Sequence, residues 1–171
     1  MAADSSRLAG IDTSVLINFL RVDRVDLLAL HSGFRFVLTG HVRCEVVDCY
    51  PEQLACLDRA IGEGVFDLVI VDALDPVFVR ISQERRLGVG EAAAIAYAIT
   101  NSLPLAIDDR RARAVATAVS ASITLESTES LVVAAINCGR LTVADADAIK
   151  TEWETHHRFK LAFTSFAERV W

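Results

Sequence analysis

Residues 8–20 read LAGIDTSVLINFL, and this stretch contains the transition from which the fold can be worked out. Its first four residues form a short apolar run that is typical of a buried strand, and residues 15–20 have the apolar spacing of a helix. Asp12 stands between the two, where the strand ends. An aspartate in this place is most often a helix N-cap. Ligands in open α/β sheets, however, bind outside the carboxyl ends of the strands, and Asp12 lies at such an end.

Strand-like and helical segments alternate along the rest of the chain. Short apolar runs predict strands at residues 8–11, 34–38, 65–71, 104–107 and 122–125. Helical spacing and capping residues predict helices at residues 15–20, 25–30, 41–48, 51–61, 75–87, 92–99, 110–119, 129–137 and 144–157. This alternation predicts an α/β fold, a three-layer sandwich in which a short, mostly parallel central sheet is flanked by helices.

The length and the absence of linkers predict one domain over residues 1–171. Its last part, residues 141–171, contains a helix and an aromatic tail that ends in Trp171, and it carries no motif. Two explanations for these aromatic residues remain open. They form a surface for a dimer or a partner protein, or they cover the flank of the sheet.

Composition and charge exclude several classes of protein. The net charge of −6 argues against a general nucleic-acid coat protein, although not against a nuclease, whose site carboxylates contribute to that charge. No apolar run approaches the roughly 18 residues of a membrane span, and the polar start lacks the apolar core of a signal peptide. We therefore expect a cytoplasmic protein without a membrane segment. The four cysteines show no metal-binding spacing, and we expect them to be small buried residues.

Acidic residues recur where a strand passes into a helix or where a helix begins. They are Asp12, Glu45, Glu91 and the pair Asp108–Asp109. A parallel sheet would gather such points along one edge. Two carboxylates about 4 Å apart repel each other by roughly 4 kcal/mol at an effective dielectric constant near 20. A cluster of this kind favours a bound divalent cation, and the chain is therefore a candidate metal-dependent enzyme.

Each acidic residue also has an ordinary structural explanation. Glu45 is typical of a solvated helix surface, and Glu91 in a first helical turn complements the helix dipole. Capping needs only one residue of the pair Asp108–Asp109, so metal ligation is the natural explanation for the second. Alternatively, the arginines that follow simply neutralise the pair.

Arginine outnumbers lysine, and several arginines are clustered. The clusters are Arg21 with Arg24, Arg80 with Arg85 and Arg86, and Arg110 with Arg111 and Arg113. Guanidinium groups suit bidentate contact with phosphate. Solvated helix faces are at least as common an explanation for any one cluster.

The acidic motifs, taken together, resemble the PIN-domain family of compact α/β nucleases. The resemblance covers about residues 8–140 and rests on IDTSVLI at 11–17, Glu45, GEAAAIA at 90–96 and IDDRRAR at 107–113. It implies acidic residues at one sheet edge that hold Mg²⁺ or Mn²⁺, and hydrolysis of RNA phosphodiester bonds by an endoribonuclease that uses metal-activated water. Many small members resemble VapC-type toxins, which implies a homodimer inhibited by an antitoxin protein.

The resemblance assigns roles residue by residue. Asp12 matches the first acid of the family, Glu45 the second and Glu91 the third. The fourth acid usually follows a Thr-x motif, and Ile107 occupies the threonine position. Asp109 then becomes the fourth catalytic acid, with Asp108 as an extra carboxylate.

The remaining site predictions follow from these positions. The expected metal ligands are Asp12, Glu91, Asp109 and Asp108, and Glu45 is expected to hold a water or a second ion. Thr13, Ser14 and Asn18 are expected to orient these groups, although Asn18 is as readily explained as ordinary helix surface. Arg110 and Arg111 are expected to contact substrate phosphate.

Two other functions compete with the nuclease. The first is an inactive PIN-like module that binds RNA or a protein. The second is phosphoryl transfer through an aspartyl intermediate, which is typical of Asp-x-Asp at the first strand. Ser14 stands at the second of those positions, so we rank this function well below the others.

Overall fold

The computed structural model describes residues 7–29 and 33–170. Leu30, the last residue of one predicted helix, and Trp171 of the aromatic tail lie outside the described residues. In the part of the chain that is described, no helix has both the length and the apolar character needed to cross a membrane.

Within those residues, five strands form one parallel sheet in the order β3-β2-β1-β4-β5. The strands are β1 (Arg7–Ile11), β2 (Phe34–Thr39), β3 (Phe66–Val69), β4 (Leu105–Ala106) and β5 (Leu125–Glu126). The chain builds outward from β1 to β3 and then returns to the other side of β1 for β4. The boundary between β1 and β4 is therefore the topological switch point, where open α/β sheets bind their ligands.

Helices connect and flank the strands. They are α1 (Thr13–Arg21), α2 (Asp26–Ala29), α3 (Gly40–Cys49), α4 (Leu54–Gly62), α5 (Pro76–Ile81), α6 (Val89–Thr100), α7 (Arg110–Val119), α8 (Thr128–Asn137) and α9 (Val143–His156). Short 3₁₀ turns occupy Pro51–Gln53 and Phe166–Glu168. The predicted α/β class, with a parallel sheet flanked by helices, is confirmed.

Helix α6 packs directly on the central strand β1. Its alanines 92–94, 96 and 98 are all buried, and their small side chains allow a close approach to the sheet. A Cβ atom on Gly10 of β1 would stand 3.1 Å from Leu105 Cδ1 and 3.7 Å from Ala98 Cβ. Glycine in the strand therefore permits β4 and α6 to lie close to β1 at the switch point.

Among the predicted elements that differ in extent, two show the largest change. The helix predicted at 75–87 ends at Ile81, because no apolar residue follows until Leu87 and a further turn would bury nothing. The strand predicted at 122–125 is observed at Leu125–Glu126. The chain first turns after α7, where the Ile123 amide donates to the Ser120 carbonyl at 3.2 Å.

The prediction of buried cysteines is wrong. Cys44, Cys49 and Cys138 are exposed, and Cys56 is half-buried. The reason is visible in α3, which buries only Val42 and Val46 and therefore turns both of its cysteines toward solvent.

The aromatic residues near the end of the chain cover the flank of the domain. Trp153 and Phe166 are fully buried, and Phe163 is 9% exposed. Trp153 Nε1 donates to the Asn18 carbonyl oxygen at 2.7 Å, which joins α9 to α1. These three residues are therefore buried within the protein itself, with Trp153 packed on Phe19 of α1, and are not part of an exposed partner surface.

Candidate active site

Asp12 combines the capping role with an unsatisfied oxygen. It ends β1, and its Oδ2 accepts hydrogen bonds from the Ser14 amide at 3.0 Å and the Ser14 hydroxyl at 2.6 Å. The residue is 0% exposed. Among the described residues, its Oδ1 is buried and has no hydrogen-bond partner. Capping of α1 therefore uses Oδ2, and Oδ1 remains available for another ligand.

Burial of this carboxylate raises the pKa of Asp12 from 3.8 to about 6. The bonds from Ser14 oppose the shift, and the charge of Glu45 adds to it. An unpaired buried carboxylate is costly to ionise, and such groups are normally paired or coordinate a metal. A nearby positive charge would therefore stabilise the ionised Asp12 carboxylate.

Glu45 reaches the same place from α3. Its Oε2 accepts a hydrogen bond from Thr13 Oγ1 at 2.9 Å, which fixes the half-buried side chain beside the start of α1. A Cβ atom on Gly90 would collide with this oxygen. Glycine at the start of α6 is therefore what leaves room for the Glu45 carboxylate.

Glu91 lies between the other acids. Its Oε2 accepts a hydrogen bond from the Gly88 amide at 2.9 Å, so it caps α6 as the helix-dipole explanation requires. Burial raises the pKa of Glu91, and the charges of Asp12, Asp109 and Glu45 raise it further. Glu91 is thus within electrostatic reach of the other three carboxylates, and Asp12 is also within reach of Glu45. We call these four carboxylates the acidic centre.

Asp109 borders an open groove beside the acidic centre. Its Oδ1 accepts hydrogen bonds from the Arg111 amide at 2.9 Å and the Ala112 amide at 2.8 Å, so it caps α7. The groove has a volume of about 450 Å³. It is lined by Arg86, Glu91, Asp109, Arg110, Arg111 and Ala114.

Asp108 is held in a different network. Its Oδ1 accepts from the Thr128 amide at 2.9 Å, and its Oδ2 accepts from Thr128 Oγ1 at 2.5 Å and Asn18 Nδ2 at 3.2 Å. Burial raises the pKa of Asp108, while the bonds from Thr128 and the charge of Arg113 lower it. The neighbouring aspartates therefore do different things: Asp108 ties β4 to α8, and Asp109 faces the groove.

The predicted supporting residues lie at the switch point. Ser14 Oγ donates to Asp12 and accepts from the Asp108 amide at 3.0 Å, so it bridges the ends of β1 and β4. Asn18 is 2% exposed and donates to Asp108, Thr128 and the Ser14 carbonyl. The surface explanation for Asn18 is wrong, because its amide is the buried centre of this network.

The arginines near α7 divide in the same way as the aspartates. Arg110 and Arg111 are exposed and line the groove. Arg113 instead donates through Nη1 to the carbonyl oxygens of Ile107 at 2.6 Å and Glu126 at 2.7 Å, which joins the ends of β4 and β5.

Sequence reasoning did not select Thr128. This residue holds both oxygens of Asp108, and its signal was its place two positions after the short strand β5. Arg86 was named only as a member of an arginine cluster suited to phosphate contact, and the structure places it in the lining of the groove.

The chemistry of the acidic centre fits a hard divalent cation. Its donors are carboxylate oxygens, and the free Oδ1 of Asp12 is a ready ligand. Among the described residues, no three or more Asp, Glu, His or Cys side chains lie close enough together to hold a metal ion between them. Mg²⁺ is commonly held by one or two carboxylates, with water and substrate phosphate as its other ligands, and an open centre suits that mode.

A protein-family model matches most of the chain. The family model described as "DUF3368: PIN domain" matches residues 10–150. No curated protein sequence matches the chain.

Several solved structures are similar to the chain. A PilT N-terminus domain protein from the archaeon Sulfolobus solfataricus P2 has a TM-score of 0.51 and 17% identity, over 72% of this chain and 89% of that chain. PAE2754 from Pyrobaculum aerophilum has a TM-score of 0.50 and 18% identity, over 75% and 90%. VapBC2 from Rickettsia felis, bound to a DNA fragment from its promoter, has a TM-score of 0.48 and 12% identity, over 70% and 98%. At such identities the first two similarities show the fold.

The raised pKa of Asp12 predicts how the stability of the metal-free protein depends on pH. Because the folded chain holds this proton more tightly than the unfolded chain, ionisation of Asp12 lowers the free energy of unfolding. This decrease in the free energy of unfolding is absent below about pH 4, grows as the pH rises from about 4 to 6, and is complete above about pH 6. Asp12→Asn removes it, and the variant should be more stable than the parent by roughly 1–3 kcal/mol near pH 7.5.

Urea unfolding in the presence of a chelator, at about pH 4 and about pH 7.5, measures this difference. Asp48→Asn, on the exposed side of α3, serves as the matched control and should change stability little at either pH. An Asp12→Asn variant that is no more stable than the parent near pH 7.5 would contradict the burial argument.

Proposed function

The chain belongs to the PIN-domain family, and from this premise we propose that it is a Mg²⁺- or Mn²⁺-dependent endoribonuclease. The observation that carries the proposal is the buried Oδ1 of Asp12, which lacks a protein partner among the described residues, on a carboxylate that interacts electrostatically with Glu45 and Glu91. A purely structural aspartate would gain nothing from that arrangement.

The proposed metal ligands are Asp12, Glu91 and Asp109. Asp108 is the less suitable candidate, because both of its oxygens already accept hydrogen bonds. A bound divalent cation lowers the pKa of a water molecule and stabilises negative charge on the departing oxygen. The chain therefore needs no side-chain nucleophile of its own.

The other proposed roles follow from the contacts within the site. Ser14 holds the Asp12 carboxylate in one orientation, and Thr13 does the same for Glu45, which would accept a hydrogen bond from a water near the phosphate. Arg110 and Arg111 border the groove beside Asp109 and would hold the substrate's phosphates. Hydrolysis by water does not use the RNA 2′-hydroxyl, so preference for RNA would come from the shape of the groove.

One observation favours the alternative function of an inactive module that binds RNA or a protein. Glu91 and Asp109 each accept backbone hydrogen bonds as caps, and no three acidic, His or Cys side chains of the described residues are arranged to hold a metal ion. The nuclease remains the better proposal because capping does not account for Asp12 Oδ1 or for the closeness of Glu45 to the other acids.

We expect the purified protein to cleave single-stranded RNA in Mg²⁺ or Mn²⁺, and Asp12→Asn to lose at least about 100-fold of this activity, as removal of an electrostatic group at a reacting centre typically does. Asp48→Asn is the matched control and should retain parental activity. Gel analysis of a labelled oligonucleotide measures the rate. Equal cleavage by the parent and Asp12→Asn would end the nuclease proposal in favour of the binding module.

Gly90→Ala separates the role of Glu45 from the stability of the fold. The new methyl group must displace the Glu45 carboxylate, and such a misplacement should lower cleavage by about 10-fold to 100-fold. Alanine in a helix is otherwise favourable, so the unfolding midpoint should stay level or rise. Gly62→Ala, whose Cβ would meet nothing within 4 Å, should leave cleavage unchanged. Full activity in Gly90→Ala would remove Glu45 from the proposed machinery.

We also propose that the protein is a cytoplasmic toxin that forms a homodimer and is inhibited by an antitoxin protein. The support is its family and the exposed apolar residues between β3 and α5, since Ile70 is 90% and Leu74 is 82% exposed. Exposed apolar surface is typical of protein contacts. Co-expression with the product of a short neighbouring reading frame should give a complex that does not cleave RNA. A chain that stays monomeric and active beside that product would exclude this role.

A further inference from the structure

Arg86 reaches the groove from the turn before α6, whereas Arg110 and Arg111 reach it from α7. Arg86 precedes α6, whose first turn carries Glu91, whereas Arg110 and Arg111 form the first turn of α7. All three arginines are exposed and line the same groove. The groove therefore presents guanidinium groups on both its α6 side and its α7 side.

These arginines form no ion pair within the groove. No salt bridge of the described residues includes any of the three. Glu91 and Asp109, the two acids that line the groove, use one oxygen each to accept from the Gly88 amide and from the amides at the start of α7. The guanidinium groups are thus available to contact an anion.

The backbone next to Arg86 is held in place. Leu87 packs against the hydrophobic core, and the Gly88 amide is fixed by the Glu91 carboxylate. Arg86 therefore extends from a point close to the acidic centre, which lowers the cost of ordering it on a ligand. Its neighbour Arg85 is equally exposed but does not line the groove.

We propose that Arg86 binds a backbone phosphate of the nucleic acid and that Arg110 and Arg111 bind a phosphate on the other side of the acidic centre. The inference rests on the proposed nuclease function and names its substrate more closely. A strand gripped on both sides is cut at an internal bond, so the substrate is a single strand with nucleotides on each side of the cleaved phosphate. Arg86 is then a binding residue that selects internal over terminal bonds.

Binding of a short fluorescein-labelled single-stranded RNA, measured by anisotropy over a range of salt concentrations, tests the proposal. Cleavage is blocked by using Asp12→Asn as the background for every protein. Loss of one phosphate contact should reduce the slope of log affinity against log salt by about 0.7 for a single strand. We expect this reduction and a loss of affinity of about 5- to 10-fold for Arg86→Ala.

Arg85→Ala is the matched control, because it removes the same charge one residue away. It should leave the salt slope unchanged, and Arg86→Lys should restore most of the slope that Arg86→Ala loses. Equal slopes for Arg86→Ala and Arg85→Ala would overturn the proposal. Circular dichroism and the unfolding midpoint establish that the exposed substitutions leave the fold intact.

Cleavage assays in the otherwise unaltered protein separate this proposal from the nuclease function. If the parent cleaves RNA but Arg86→Ala binds it like Arg85→Ala, only the role of Arg86 is overturned. If the parent does not cleave but the slope still depends on Arg86, the phosphate contact stands and the nuclease function fails. If the parent neither binds nor cleaves RNA, both are overturned.

Discussion

The arrangement of this protein depends on a carboxylate that is buried without a full set of partners. Asp12 lies at the end of the central strand, shielded from solvent, with one oxygen bound by Ser14 and the other free of protein donors among the described residues. Ionising such a group against the nearby charge of Glu45 costs free energy, and the fold must supply that energy from elsewhere. The buried apolar side chains of the core, including the alanines of α6 packed on β1, offset this cost.

Around this carboxylate the structure separates polar residues that hold the frame from those that face the groove. Asp108, Asn18, Thr128 and Arg113 bond to one another or to strand ends, and they fix the relation of β1, β4 and β5. Asp109, Arg110 and Arg111 follow on the adjacent helix and face the groove. Residues 108–113 therefore contain both kinds: Asp108 and Arg113 hold the frame, and the consecutive residues Asp109, Arg110 and Arg111 face the groove.

The sequence was sufficient for the class of fold and for the placement of the acids, because both depend on local patterns. Strands that end in Asp12 and in the pair Asp108–Asp109 must share an edge if the sheet is parallel, and they do. It was not sufficient to tell Asp108 from Asp109, because the partner of Asp108, Thr128, is 20 residues away and is set by a tertiary contact. The burial of Asn18 depends likewise on Trp153, which is 135 residues away.

The strands β4 and β5 are only two residues long, so few backbone bonds join that half of the sheet to β1. Side chains make up the difference: Arg113 joins the ends of β4 and β5, and Thr128 and Ser14 join Asp108 to α8 and α1. A homologue that has lost Arg113 or Thr128 would keep every acidic residue, but its helix α7, which begins after Asp109, would be displaced. A survey of homologues that scores only the acids would count such a chain as intact, whereas one that also scores these ties would recognise it as degenerate.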